Sequence, residues 1–271
     1  MKKFALLGSN INYSLSPKIH KLIGAELGIE LDYTLLDVPA AALSAAAQSL
    51  KDGYDGFNIT KPYKRDIIAY LDSLDLTVEK TGAVNTVAKR SLTDGGKYWR
   101  GWNTDTGGFS RSLEICRTKI KNDTRVLILG AGGAAACAAT VLEGKCDLYL
   151  YNIDYEEARR LFKSRKIKIA ENAARGVPKA EVIINCTPLG WNGENCLPEN
   201  IELKNLKLAY DMVYKSTPFL SAAAEIGAEC MDGLNMLVFQ AIEAECIFNE
   251  IYMLDDKRID NICKKVIKQL K

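Results

Sequence analysis

With 271 residues the chain is long enough for two domains of ordinary size, and 48% hydrophobic residues suit a globular protein with a real core. A net charge of +2 gives no reason to expect nucleic acid or an anionic membrane as partner. No apolar run approaches the ~20 residues a membrane span needs, and Phe4–Leu7 behind Met1-Lys2-Lys3 is too short for a signal peptide, so a cytoplasmic protein without membrane contact is expected. The eight cysteines form no C-x-x-C and have no histidine close by in sequence, which argues against structural zinc and for reduced thiols; no metal is expected. His20, the single histidine, excludes any mechanism that needs two.

Lys3–Leu7 reads as a short strand ending at Gly8, followed by a polar loop to Ser16. Ser16-Pro17 opens a helix, serine as N-cap and proline at its start, and Ile19, Leu22, Ile23 and Leu27 carry the helical period to Gly28. Leu31–Val38 alternates as a second strand, an alanine-rich helix spans about Ala40 to Leu50, and Gly56–Thr60 is a third strand that breaks into Lys61-Pro62-Tyr63-Lys64. This β-α-β-α-β layout predicts an α/β domain with a largely parallel sheet. Gly82–Ala88 reads as a further strand, Asp94-Gly95-Gly96 as a hairpin turn and Tyr98–Trp102 as the returning strand. The polar cluster Asn103-Thr104-Asp105 precedes a helix from Thr106 to about Cys116, and the first domain boundary is placed here.

The second domain opens on VLILGAGGAAA, Val126 to Ala136: an apolar strand, a glycine turn and a small-residue helix. This is the order of a dinucleotide-binding fold. Gly130 permits the tight turn, Gly132 lets the backbone approach a pyrophosphate, and Ala135 stands at the third small position, where helix and strand pack closely. The helix N-terminus offers free N–H groups and a positive dipole end to phosphates. Further continuous apolar strands are read at Asp147–Tyr151, Val182–Asn185 and Leu208–Tyr210, as expected of strands covered on both faces. After Asp232-Gly233 the pattern is helical, Asn235–Met253 and Asp256–Leu270.

Several motifs in fixed order now carry a resemblance: Ser14-Leu15-Ser16-Pro17 with His20, Phe57 to Lys64, Gly82 to Thr86, Asn103-Thr104-Asp105 and Gly130 to Ala134. Asn185 to Gly190, Asp211 to Tyr214 with Thr217-Pro218, and Gly233…Met236-Leu237…Gln240 continue it across nearly the whole chain. The chain resembles the shikimate dehydrogenase family, NADP-dependent alcohol dehydrogenases of aromatic amino-acid biosynthesis. The resemblance implies an N-terminal α/β substrate domain (1–104 and 236–271), a Rossmann-like cofactor domain (105–235), C-terminal helices that return to the first domain, and an active site in the cleft between them. It implies a small-molecule substrate and a monomer or homodimer.

The implied reaction is the reversible reduction of 3-dehydroshikimate to shikimate. A proton must pass between the substrate oxygen and a protein group, and with one helical histidine available a lysine is the natural candidate. Lys64 lies just after a strand end, where side chains often face clefts, and the family implies Asp105 as its partner. The competing reading is a surface salt bridge. Shikimate carries a carboxylate and several hydroxyls, so its pocket needs neutral donors and acceptors at fixed angles. Ser14, Ser16, Asn58, Thr60, Asn85 and Gln240 supply them at positions the family uses, with Tyr214 a further contact and the two serines on the carboxylate. Ser16 has its cap role as an alternative, Asn58 and Asn85 a role in turns, and His20 a packed place in its helix. Cofactor contacts are implied at Gly130, Ala131, Gly132, Gly133 and Ala134, and at Asn152, Asp154, Thr187, Val213, Gly233 and Met236.

The chain departs from the family at the end of its second cofactor-domain strand. Where the NADP form has Asn-Arg-Thr, this chain reads Asn152-Ile153-Asp154, followed by Glu156 and Glu157. Asp154 stands near the position about 20 residues past the glycines where an acid binds a ribose 2′-OH in NAD enzymes, so NADP is the family default and the loop leans toward NAD. Trp191 replaces the family's common methionine near the nicotinamide. Two rivals follow: a quinate/shikimate dehydrogenase with NAD preference, and a catalytically silent nucleotide-binding regulatory protein, against which the intact Lys64 and Asp105 argue.

Overall fold

The computed structural model describes residues 1–172, 179–199 and 201–270. They form two compact units, Met1–Gly108 with Leu237–Lys271, and Phe109–Met236. The division falls inside two helices, at 108/109 and 236/237, within a few residues of the 104/105 and 235/236 expected from sequence. Among the described residues no helix is long and apolar enough to cross a membrane, and no three His, Cys, Asp or Glu side chains cluster as a metal site would require.

The first unit is built on a six-stranded sheet in the order β2-β1-β3-β5-β6-β4. β1 (Lys2–Gly8) pairs in parallel with β2 (Leu31–Asp37) and β3 (Gly56–Ile59). β5 (Thr86–Ser91) runs antiparallel to β3, β6 (Lys97–Trp102) antiparallel to β5, and β4 (Ser73–Leu74) parallel to β6. The sheet is therefore mixed: parallel at its β2-β1-β3 end and between β6 and β4, antiparallel at β3-β5-β6. The expected strand at Gly82–Ala88 begins later, because α3 (Leu76–Thr81) occupies the approach and ends at Gly82, whose φ of 67° closes the helix in the left-handed region. α1 (Ser16–Leu27) is capped by Leu15 without a side-chain bond, which corrects the N-cap reading of Ser16. The Ser16 N–H instead donates to Ser14 Oγ at 3.2 Å, so the serine two residues earlier satisfies it.

Strand alternation splits the core in two. Ala5 and Leu7 face α2 (Leu43–Gly53) with Phe57, Ile59, Tyr63 and Trp99. Phe4, Leu6 and Tyr33 face Ala244 and Phe248 of α8 (Leu234–Asn249). α8, α1 and α9 (Asp256–Leu270) share a further apolar cluster through Ile19, Ile23, Val238, Ile242, Ile262 and Val266. The C-terminal helices thus return to the first unit. Phe4 and Phe248 stack at 4.5 Å, and a Cβ on Gly56 would lie 2.7 Å from the Phe248 ring, so glycine is required there.

Asp75 organises the approach to the polar cluster. Its carboxylate caps α3 by accepting from Thr77 N at 3.0 Å and binds Arg100 at 2.9 Å, while Thr77 Oγ1 accepts from the Asn103 N–H at 2.9 Å. Burial pushes the Asp75 carboxyl up, but the Thr77 hydrogen bonds and Arg100 outweigh it and hold the group below the usual carboxylate range. Its stabilising contribution is present above that range and lost as pH falls through the folded value. Asp75→Ala is expected to cost about 1–2 kcal/mol near neutrality, with a smaller deficit in acid. Urea midpoints at the two pH values check this, and equal deficits at both would refute it.

The second unit carries a parallel six-stranded sheet in the order β12-β11-β10-β7-β8-β9. Its strands are β7 (Arg125–Leu129), β8 (Asp147–Tyr151), β9 (Lys168–Ala170), β10 (Val182–Asn185), β11 (Leu208–Asp211) and β12 (Glu229–Met231). Order runs outward on either side of β7 and β10, so the switch point of a doubly wound dinucleotide fold lies between them. α5 (Gly133–Leu142) begins directly after β7 at that point, and its alanines, from Ala135 to Ala139, are buried. β9 and β12, three residues each, escape the sequence reading.

Candidate active site

Lys64 is held by its main chain. After β3, Thr60 N–H donates to Leu7 O at 2.9 Å, Tyr63 N–H donates to Thr60 O at 3.1 Å, and Val84 N–H donates to Lys64 O at 2.7 Å. The Tyr63 side chain is fully buried and its hydroxyl donates to Val38 O. The Lys64 side chain then reaches Asp105, Nζ to Oδ2 at 2.6 Å, with the two side chains 28% and 17% exposed.

Asp105 is the first residue of α4 (Asp105–Glu114), where the helix dipole favours a carboxylate. Its own N–H donates to Asn103 Oδ1 at 3.2 Å. Its other oxygen, Oδ1, accepts from Asn85 Nδ2 at 2.9 Å. The same Asn85 amide lies 2.9 Å from Thr104 Oγ1 and 3.2 Å from Gln240 Oε1 on α8. A surface ion pair has no such support, and the bracing is what distinguishes this pair from one.

The remaining substrate-site expectations divide. Ser14 and Ser16 lie side by side, their hydroxyls 3.1 Å apart, as two donors to one carboxylate would. Thr60 makes no side-chain hydrogen bond among the described residues that would commit its hydroxyl elsewhere. Asn58, 5% exposed, is spent inside the protein on Asn85 O, Thr86 Oγ1 and Tyr33. Tyr214 belongs to the second unit, edge-on to Trp191 at 5.0 Å. His20 is buried, with Nδ1 2.6 Å from Glu245 Oε1, a packed helix residue. Thr86, Thr104 and Tyr33 join the network without having been singled out; Thr104 sits inside the Asn-Thr-Asp cluster, which was its only local signal.

In the second unit the residues fit a dinucleotide. Gly130 has φ 99°, and a Cβ there would lie 3.0 Å from Thr187 Cγ2, so turn and neighbouring loop both demand glycine. At Gly132 and Gly133 a Cβ would meet no described atom within 4 Å. Internal packing gives no reason for glycine at these two, whereas the approach of a pyrophosphate to the α5 N-terminus does. Gly233 has a different reason: a Cβ would fall 2.2 Å from Met212 O. Thr187 donates to Asn185 Oδ1 at 2.7 Å. Asp211 is buried and accepts from Asn185, from the Val213 N–H and from Thr217, which stitches the two motif loops together. Met236 packs against the alanine-rich core of this unit.

The loop after β8 carries a helix cap. Asp154 Oδ1 accepts from the Glu157 N–H at 2.9 Å and caps α6 (Tyr155–Phe162), and its second carboxylate oxygen keeps its capacity to accept. Asn152 Nδ2 donates to Asp154 O and Glu157 Oε2. Ile153 is 95% exposed, and Arg159 pairs with Glu156 at 3.6 Å.

A braced lysine–carboxylate pair among neutral hydrogen-bonding groups, in a chain whose second unit has the doubly wound order and a glycine turn at its switch point, defines a two-domain α/β dehydrogenase. A family model described as the shikimate dehydrogenase substrate binding domain matches residues 6–87. The NADP(+) shikimate dehydrogenase of Caldicellulosiruptor saccharolyticus is 36% identical over 100% of both chains. That of Ignicoccus hospitalis is 34% identical over 90% of this chain and 92% of its own. The crystal structure of the Thermus thermophilus shikimate 5-dehydrogenase in complex with NADP(H) and shikimate aligns with a TM-score of 0.83 at 29% identity, covering 98% of this chain and 100% of that one. The chain belongs to the shikimate dehydrogenase family.

Proposed function

We propose that the protein catalyses the reversible reduction of 3-dehydroshikimate to shikimate, with Lys64 and Asp105 as the proton-transfer pair. The observation that carries this reading is the 2.6 Å Lys64–Asp105 contact braced by Asn85. Lys64 gives its proton to the substrate oxygen as the carbonyl is reduced and takes it back in the reverse direction. Asp105 orients the ammonium group and remains as its counter-charge. Ser14 and Ser16 bind the substrate carboxylate, and Thr60, Asn85 and Gln240 meet its hydroxyls. When bound, the nicotinamide cofactor supplies or accepts the hydride; Gly130 to Ala134 would hold its pyrophosphate. A spectrophotometric turnover assay with shikimate and quinate tests the reading. No turnover of either by the folded protein would leave the silent regulatory alternative, and faster turnover of quinate would favour the quinate/shikimate rival.

The cofactor we infer is NADP, held with weak discrimination. The relatives are named for NADP(+). A 2′-phosphate nevertheless needs cationic, preferably bidentate, partners, and Ile153 offers none. Comparison of kcat/KM for the two cofactors is expected to give a ratio below ~100-fold, or roughly 2.7 kcal/mol. Ile153→Arg with Asp154→Thr should raise that ratio, since threonine still caps the helix. A ratio above that bound in the unmodified protein would mean other cations hold the phosphate.

A further inference from the structure

The Lys64–Asp105 pair stands at the end of a hydrogen-bonded chain that runs back into the core of the first unit. Main-chain groups fix the orientation of both asparagine amides in it. The Thr104 N–H donates to Asn85 Oδ1 at 2.8 Å, so Asn85 presents its NH2 group to Asp105 Oδ1. The Asn85 carbonyl oxygen can only accept, which assigns Asn58 Nδ2 as the atom 3.1 Å from it. Asn58 therefore turns Oδ1 toward Tyr33, and the phenol must donate, at 2.7 Å. Asn58 Nδ2 also donates to Thr86 Oγ1 at 2.9 Å, and the Thr86 hydroxyl passes its own hydrogen to Asn85 Oδ1 at 3.0 Å. Donors thus run one way, from Tyr33 through Asn58, Thr86 and Asn85 to the Asp105 carboxylate, and each bond polarises the next.

The far end of this chain is anchored. Tyr33 is 3% exposed and stacks on the His20 ring at 4.1 Å and 15°, with His20 gripped by Glu245. Thr86 is fully buried. Burial, reinforced by Glu245, holds the Tyr33 phenol well above its usual range, so the hydroxyl keeps the proton it donates.

We propose that Tyr33 is a positioning residue for the proton-transfer pair: through Asn58, Thr86 and Asn85 its hydroxyl sets the orientation of the Asp105 carboxylate and so of the lysine that carboxylate holds. The proposal rests on the reading of Lys64 and Asp105 given above. It extends the machinery to a side chain that touches neither member of the pair.

The test uses the full chain with shikimate and NADP. Tyr33→Phe keeps the ring stack and removes one hydroxyl, and Thr86→Val removes a middle link at nearly constant volume. Each is expected to lower kcat roughly tenfold to a hundredfold, the scale of a small misplacement of a catalytic group, with KM for both reactants within about twofold of the parent. The double variant is expected to be no slower than the slower single one, because both break the same chain. A purely structural Tyr33 would lower the melting temperature and leave kcat unchanged. Parent-like kcat in Tyr33→Phe beside an inactive Lys64→Ala overturns the relay and leaves the pair intact; multiplying losses in the double variant also overturn it. Parent-like kcat in Lys64→Ala overturns both readings. Should Tyr33→Phe fail to fold, Thr86→Val decides on the same kcat and KM criterion.

Discussion

Replacing Lys64 by alanine is expected to lower kcat by at least ~10²-fold, the low end for losing an acid–base group. The single histidine is no substitute, since it is buried against Glu245, and the Asp105 carboxylate left behind accepts from Asn85 with no Lys64 ammonium group to orient. The fold should tolerate the change, because the lysine is anchored by its main-chain carbonyl and by Tyr63, neither of which is altered. Cofactor affinity should move little, since the glycine turn belongs to the other unit. Steady-state rates beside a melting curve check the prediction, and near-parent kcat in a folded variant would remove Lys64 from the mechanism.

The largest effect on stability is expected at Glu245. Its carboxylate is fully buried, 2.6 Å from His20 Nδ1 on one side, and accepts from Asn249 Nδ2 at 2.8 Å on the other. Glu245→Ala strands the imidazole, leaves the Asn249 amide only its bond to the residue 245 carbonyl, and opens a cavity between α1 and α8. A loss of about 3–5 kcal/mol is expected, the cost of removing one member of a buried pair. Glu245→Gln keeps the shape and one hydrogen-bonding oxygen and should lose less. Urea unfolding of the two variants makes the comparison; an alanine variant within ~1 kcal/mol of the parent would mean that water or rearrangement satisfies the exposed partners.

Much of this was legible in the sequence where several signals coincide within a few residues. The strand, glycine turn and helix of the second unit announce themselves because each needs a different residue type in immediate succession. The lysine after β3 and the Asn-Thr-Asp cluster before α4 were likewise local. What escaped was either short or distant. β4, with two residues, leaves no periodicity to read, and α3 hides between a capping aspartate and a stopping glycine that were not joined into one element. Tyr33 reads as an ordinary inward residue of a strand, because its hydrogen-bond partner lies 25 positions away and nothing beside it marks the connection. Asp154 carries two signals at once: its distance from the glycines suits a ribose ligand, and its place ahead of α6 suits a cap, which its Oδ1 supplies.

The stack of Phe4 on Phe248 has a consequence for biosynthesis. Lys2 Nζ donates to Phe248 O across 246 positions, and Gly56 at the centre of the first sheet is shaped to receive the same phenylalanine ring. The helices that cover this face emerge from the ribosome after the whole second unit. Until then Phe4 and Leu6 lack the Ala244 and Phe248 that cover them, while the opposite face already has α2 to pack on. The first unit must therefore wait, partly dressed, for its own C-terminal helices, which follow the whole of the second unit in the chain. That interval, rather than the finished molecule, is when its apolar surface is open to wrong partners.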